Sequence, residues 1–288
     1  MDQIRIELTE GLNLYKIVKK KRLTSQINLF EFSAVEVARK AKPGQFIIIR
    51  IDEKGERIPL TIAGAKPEKG TIIAACQEAG KTTKKLGKLR EGDYIQDLVG
   101  PLGNPTEIKK FGTVLCVGGG VMIAPLYYHT KALREAGNRI IGVIGARTAE
   151  QLIYEEEMRQ VCDELYVATD DGTKGYKDLE FLKDLLKERK IDRAIVLGPI
   201  ITMKLISEFT RPYNIPTRVC LTPIMVDGMG MCGACRVTVG GETKFACAHG
   251  PEFDGHQVDF EGLMARLKMY TAQEKLAFVF YEKGERGS

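Results

Sequence analysis

TVLCVGGGVMIAPLYYHTKALREAGNRIIGVIGAR, residues 113–147, is where the chain changes period. Thr113–Val117 is an apolar run of strand length. Gly118, Gly119 and Gly120 follow, then helical spacing from about Ala124 to Ala136, then a second apolar run at Arg139–Ile144. Strand, turn, helix, strand is the unit of a parallel sheet. Glycines at the first turn let a pyrophosphate approach the backbone at a helix N-terminus. The letters are not G-x-G-x-x-G, so a merely tight turn is the competing reading.

The alternation continues downstream. Helices are expected over Thr148–Val161, Asp178–Lys190 and Ile201–Thr210, and strands at Glu164–Thr169, Ala194–Leu197 and Thr217–Leu221. This predicts a doubly wound parallel sheet, whose ligands bind beyond the carboxyl ends of its strands. The turns there are Gly118–Gly120, Gly145–Ala146–Arg147, Thr169–Asp170–Asp171–Gly172 and Gly198–Pro199.

Upstream, residues 1–106 read as all-β. Apolar or alternating runs at Leu14–Val18, Ile27–Phe32, Phe46–Ile51, Thr71–Cys76 and Tyr94–Val99 are separated by turn residues such as Pro43–Gly44 and Lys69–Gly70. Strands at this spacing predict a closed or partly closed barrel. Arg57–Ile62 and Gly80–Leu86 are expected as loops, the second opening a short helix. Gly80, Lys81, Thr82 and Thr83 offer N–H groups, hydroxyls and a cation to a phosphate; an ordinary Thr N-cap explains them equally well.

MVDGMGMCGACRVTVGGETKFACAH, residues 225–249, carries the metal chemistry. Cys232, Cys235 and Cys247 are spaced C-x2-C-x11-C, and Asp227 lies five residues before the first. With a thiolate in place of Asp227 this is the plant-type [2Fe–2S] spacing. A hairpin turning at Gly240–Gly241 brings Cys235 beside Cys247. Zinc held by the three cysteines with His249 or Asp227 is the competing site. Disulfides are disfavoured by an odd count of seven cysteines and no mark of secretion. Beyond it come a polar loop, Gly250–Val258, and an amphipathic segment over Phe260–Tyr281 with Leu263, Leu267, Tyr270, Leu276 and Phe280 as buried candidates.

Composition narrows the classes. The 44% hydrophobic and 28% charged content is that of a soluble globular protein. The net charge of +5 is spread over mixed charges, and Lys19–Arg22 reads as a solvated strand end, which argues against nucleic acid. No stretch is long and apolar enough for a membrane span, and residues 1–18 lack a signal peptide's core, so a cytoplasmic location is expected.

In this order, barrel, α/β domain and cluster loop resemble the ferredoxin–NADP reductase superfamily. The resemblance is carried by Lys42–Phe46, Pro59–Thr61, Gly100–Gly103, Gly118–Gly120 with Ala124–Pro125, and the cluster loop. Within that superfamily the chain is similar to electron-transfer subunits of dihydroorotate dehydrogenase and to the small subunit of NADH-dependent ferredoxin:NADP oxidoreductase (Nfn). The resemblance implies a β-barrel FAD domain (1–106), an α/β NAD domain (107–222) and a C-terminal [2Fe–2S] domain (223–288). It places Thr61, with Pro59 and Leu60, at the flavin's reactive edge, Ala75, Cys76 and Gln77 along the flavin, and Thr82 and Thr83 on its pyrophosphate. The family's flavin arginine falls on Ile58, and Arg57 stands one residue earlier. The glycine turn and later loops would hold NAD(H), with Leu197–Gly198–Pro199 where many members have Cys-Gly-Pro. Asp227 as fourth cluster ligand is implied by the Nfn likeness; a carboxylate there keeps the formal charge and shifts the potential. Arg147 suits a 2′-phosphate, or stacks on adenine or pairs with Glu150 or Glu155. No catalytic dyad is required, because the cofactors carry the chemistry.

The expected function is hydride transfer from NADH to FAD, with single electrons then passing to the cluster and to a larger glutamate-synthase-like partner that serves ferredoxin. An electron-transfer subunit for dihydroorotate dehydrogenase, or for a sulfide or polysulfide oxidoreductase, is the alternative. A flavin-free zinc protein is the third reading.

Overall fold

The computed structural model describes residues 15–286. Leu14, the expected start of the first strand, and the rest of residues 1–14 lie outside the described residues. The first half is an antiparallel barrel of β1 (Tyr15–Arg22), β2 (Ile27–Ser33), β3 (Phe46–Arg50), β4 (Arg57–Lys66), β5 (Thr71–Gln77), β6 (Tyr94–Ile95) and β7 (Asp97–Leu102). Its spatial order is β6-β1-β2-β5-β4-β3-β7. The two outermost strands are consecutive in the chain, separated by Gln96 alone, so the sheet all but closes on itself. Alternation explains why β3 is apolar from Phe46 to Ile49. Ile47 and Ile49 point into the barrel core, while Phe46 and Ile48 join the core shared with the α/β half.

Two short helices sit on the barrel: α1 (Val35–Lys40), which the sequence reading did not foresee, and α2 (Lys81–Lys88). The segment expected as a loop at Arg57–Ile62 is the first half of β4. Proline misled the reading. Residues 57–61 pair only with β3, and β4 changes partner to β5 from Ile62. Pro59, with no N–H to donate, sits where the strand's other edge is open.

The second half is a six-stranded sheet of β8 (Thr113–Gly119), β9 (Arg139–Ala146), β10 (Glu164–Thr169), β11 (Arg193–Leu197), β12 (Thr217–Cys220) and, past the cluster hairpin, Glu252–Asp254. The first five are parallel, in the order β10-β9-β8-β11-β12, so the direction of winding reverses between β8 and β11. Helices α3 (Ile123–Glu135), α4 (Glu155–Val161), α5 (Phe181–Glu188) and α6 (Ile200–Thr210) cover it. The helix expected from Thr148 begins only at Glu155. A 3-10 turn at Ala149–Gln151 and the left-handed Tyr154 (φ 59°) break it.

The cluster hairpin is β13 (Arg236–Val239) and β14 (Glu242–Phe245), followed by α7 (Ala246–His249). Gly240 and Gly241 have φ of +61° and +79°, the pair of positive values a two-residue type I′ turn needs. The polar loop expected at Gly250–Val258 contains β15 (Glu252–Asp254), which adds antiparallel to β12 at the edge of the nucleotide sheet. The last segment is two helices, α8 (Phe260–Leu267) and α9 (Thr271–Arg286). Of its expected buried positions Leu263 is buried and Leu267 partly so, whereas Tyr270, Leu276 and Phe280 are exposed. The helix α9 lies on α2 instead, through Lys84–Glu282 at 3.2 Å and the Lys84 ammonium over Phe278.

Candidate functional site: a cleft joined to a cysteine loop

Two cavities open between the barrel and the sheet. The first, of 210 Å³, brings together Pro59, Leu60, Thr61, Ala75, Cys76, Gln77 and Thr83 of the barrel. From the other side Val121, Met122 and Pro125 enter from the glycine turn and α3, with Cys220 and Met225 from the end of β12 and beyond. The Thr61 hydroxyl spans the seam to the Met122 sulfur at 3.9 Å. The walls are mostly apolar and shaped by both halves, as a planar aromatic ring system requires. Burial, then the charge of Glu78, push the Cys76 thiol up to about 12, so it stays neutral. Burial, then the charge of Glu252, pushes the Cys220 thiol up as well.

Strand alternation decides the place of Arg57. Ile58 and Leu60 pack on the barrel core, so Arg57 shares a face with Pro59 and Thr61. It does not line the cavity, and neither do Gly80, Lys81 and Thr82. Both threonine hydroxyls of α2 have internal partners. Thr83 Oγ1 accepts from the Ala79 and Gly80 N–H groups at 3.0 and 2.9 Å, and the Thr82 hydroxyl donates to Glu56.

The second cavity, of 390 Å³, lies at the carboxyl ends of the parallel strands. Gly118, Gly119, Gly120, Gly145, Ala146, Arg147, Asp170 and Pro199 line it; Asp171 and Gly198 do not. It sits where the winding reverses, the position at which such sheets take nucleotides. A Cβ on Gly119 would stand 2.8 Å from Pro199 Cδ, and one on Gly198 3.1 Å from the Gly119 nitrogen. The two turns touch backbone to backbone, and only glycine permits it. A 3-10 turn at Gly120–Met122 leads into α3 and takes up the Ile123 N–H; no side chain caps the turn itself, which leaves its own N–H groups for an anion. Asp178 and Gln151 also line this cavity.

Gln77 lines both cavities. Met225, on the far wall of the first, is two residues from Asp227. Gln77 thus separates the two cavities, and the chain leaves the first at Met225 to enter the cysteine loop. Met122, Cys220 and Met225 were not among the expected residues. Cys220 could have been found, since it ends a parallel strand; Met122 and Met225 carry no such mark.

The cysteine loop gathers its four donors as two pairs. Cys235 and Cys247 are free thiols with sulfurs 3.2 Å apart, as the hairpin register demands. Asp227 and Cys232 form the other pair. The Asp227 carboxylate accepts N–H bonds from Met229 and Met231 at 2.9 Å and from Cys232 at 2.6 Å. Burial pushes this carboxyl up, but those N–H bonds outweigh it and hold it below the usual range. Among the described residues no three His, Cys, Asp or Glu side chains close on one point. Backbone N–H groups already face sulfur, from Ala234 to Cys232 and from Cys247 to Cys235, each at 3.5 Å. Donor type and N–H···S contacts fit a thiolate-bound cluster. Burial, then Cys235, push the Cys247 thiol up to about 12, so a metal must displace that proton.

Comparison with known proteins agrees with this geometry. Residues 222–259 match the iron–sulfur cluster binding domain of dihydroorotate dehydrogenase B. A Thermotoga maritima homologue of the dihydroorotate dehydrogenase B (NAD(+)) electron transfer subunit is 50% identical, over 93% of this chain and 95% of its own. A chain from the NADH-dependent reduced ferredoxin–NADP oxidoreductase structure, described for flavin-based electron bifurcation, superposes with a TM-score of 0.88. It is 48% identical and covers 94% of this chain and 99% of its own. Phthalate dioxygenase reductase shares the fold alone, at 16% identity and a TM-score of 0.55 over 81% of this chain and 88% of its own.

Proposed function

This chain belongs to the ferredoxin–NADP reductase superfamily, among homologues of the dihydroorotate dehydrogenase B electron transfer subunit, and from that membership we propose that it is the small subunit of an Nfn-type, electron-bifurcating NADH-dependent ferredoxin:NADP oxidoreductase. It is an NAD(P)H-dependent flavin and iron–sulfur electron-transfer subunit, with FAD, a [2Fe–2S] cluster and NAD(H) as cofactors. It works with a larger partner subunit, which we take to be of the glutamate-synthase-like type that serves ferredoxin. No helix among the described residues is long and apolar enough to cross a membrane. Our division into 1–106, 107–222 and 223–288 assigns FAD, nucleotide and cluster to successive units.

When bound, FAD accepts a hydride from NADH and gives up its electrons singly. The chain's own residues prepare that exchange. The glycine turn at Gly118–Gly120 and the uncapped 3-10 turn that leads into α3 receive the dinucleotide's pyrophosphate. Thr61 holds the edge of the flavin cavity that faces Met122 and the crevice. Ala75, Cys76 and Gln77 form its wall, and the neutral thiols of Cys76 and Cys220 add no charge to it. The start of α2 supplies backbone N–H groups from 81–83 toward the flavin phosphates, and Arg57 lies on the same face of β4 as Thr61. Asp227, Cys232, Cys235 and Cys247 ligate the cluster, with Gly228 against Leu102 and Ile48 so that the loop abuts the barrel. Carboxylates of Asp170 and Asp178 border the crevice beside Arg147, which favours a ribose hydroxyl over a 2′-phosphate.

The observation that carries this reading is that Gln77 lines both crevice and flavin cavity, while Met225 of the flavin cavity stands two residues from Asp227. Anaerobic titration with NADH, and separately NADPH, tests it, with flavin absorbance and the EPR signal of the reduced cluster followed together. We expect NADH to bleach the flavin and raise a [2Fe–2S] signal. Reduction by NADPH alone would reassign Arg147 to a 2′-phosphate. A zinc-containing protein inert to both would refute the reading.

A further inference from the structure

A chamber of 410 Å³ lies away from the cleft, at the amino-terminal ends of β11 and β12 and thus at the opposite end of the sheet from the nucleotide crevice. The segment Asn104–Glu107, leading from the barrel to the sheet, roofs it. Arg193 opens β11 and Arg218 is the second residue of β12. The register pairs Ile195 with Arg218, so both arginines project from the same face of the sheet.

Their hydrogen bonding is incomplete. The Nε atoms of both are buried without a partner. Arg193 stacks on the Phe111 ring at 4.2 Å, and its only ion pair among the described residues is with Glu107 at 3.7 Å. Arg218 takes part in no ion pair among the described residues and donates one long bond, 3.3 Å, to the Glu252 carbonyl. Each guanidinium has five N–H groups. Burial, and then the neighbouring charge of Arg218, push the pKa of Arg193 down.

Three carboxylates also border the chamber; Glu252 and Asp254 are engaged elsewhere, and Glu107 is shared between Lys109 and Arg193. Glu252 accepts from the Thr106 hydroxyl and lies 3.2 Å from His129 Nε2. Asp254 accepts from the His256 N–H at 3.0 Å and the Gln257 amide at 3.3 Å. Glu107 accepts from Lys109 at 2.6 Å. The terminal N–H groups of the two guanidiniums are only lightly used, although the carboxylates bordering the chamber outnumber the guanidiniums three to two. Such a site selects by shape, taking a planar or tetrahedral oxyanion that two forks can grip in preference to a point charge.

We propose that this chamber binds a small oxyanion of the phosphate or carboxylate class between the guanidinium groups of Arg193 and Arg218. The anion would lie against His249, the last residue of the short helix that carries Cys247.

The test uses the purified, cofactor-loaded chain at fixed ionic strength. Calorimetric titration and thermal melting are run with sodium phosphate, sodium succinate and sodium chloride. We expect one-site binding and a raised melting temperature with phosphate or succinate, and neither with chloride. The stronger of the two identifies the ligand's class. Arg218→Gln should weaken binding about tenfold or more, the loss of a charge-assisted pair. Arg218→Lys keeps the charge without the fork, and should weaken it less. Saturating NADH should leave the affinity unchanged, because the crevice is at the other end of the sheet. If melting without anion shows Arg218→Gln to be unfolded, Arg193→Gln and Arg218→Lys carry the comparison. The proposal is overturned by binding weaker than roughly 10 mM for both oxyanions, by binding that survives the arginine variants, or by competition with NADH.

Discussion

The cysteine loop and the cavity proposed for the flavin are built in opposite ways. The loop draws its four donors from Asp227 to Cys247, joined by one hairpin whose register follows from two glycines. The cavity draws on Pro59 and Thr61 of β4, Ala75–Gln77 of β5, Met122 before α3 and Cys220 of β12. These residues meet only when two separately wound sheets pack together. One site is written in consecutive residues and the other in tertiary packing, so they should fail independently.

Cys235→Ser gives the largest effect expected. It should abolish the [2Fe–2S] absorbance and EPR signal while the flavin stays bound and NADH still bleaches it. Loss of flavin as well would break the contrast. Gly119→Val attacks the tertiary site alone. Its new side chain meets Pro199, and overpacking of this kind costs about 1–3 kcal/mol. NADH concentration curves for flavin reduction should shift by roughly tenfold to a hundredfold, with cluster content unchanged.

Glu252→Gln probes the seam between the two regions, since Glu252 joins β15 to Thr106 and to His129 of α3. Burial pushes this carboxyl up, but the bonds to His129 and Thr106 and the charge of Arg218 prevail and hold it below 4.5. The unfolded chain therefore takes up more protons, and the contribution is complete above about pH 4.5 and lost as pH falls through the folded value. The variant should lose about 2 kcal/mol at neutral pH and show a flatter acid limb in urea melts taken at several pH values. The smallest effect is expected from Lys84→Gln, which cuts the partly exposed ion pair between α2 and α9. Below about 1 kcal/mol of stability is at stake, and the flavin dissociation constant should barely move.

The same contrast explains what could be read from the sequence. The cysteine spacing, the hairpin and the glycine turn were legible because each is a local pattern. Strand and helix alternation gave the doubly wound sheet, since each element's period is visible within its own span. Proline hid the strand at Arg57–Ile62, because a one-sided edge is a tertiary fact that Pro59 alone does not report. Leu276 and Phe280 read as buried on periodicity, yet their helix turns a different face to α2. Met122 and Met225 reach the cavity across the interface, and no local pattern marks them.

The added strand β15 has a mechanical meaning. It pairs with β12, and the Leu221 N–H reaches the Pro251 carbonyl at 2.9 Å, so the excursion carrying the cysteines is clamped at both ends to one sheet. A carrier that swings on a tether must diffuse between donor and acceptor, and slows as the solvent thickens. Here the wiring is soldered in place, and the electron's passage from flavin to cluster should be indifferent to viscosity.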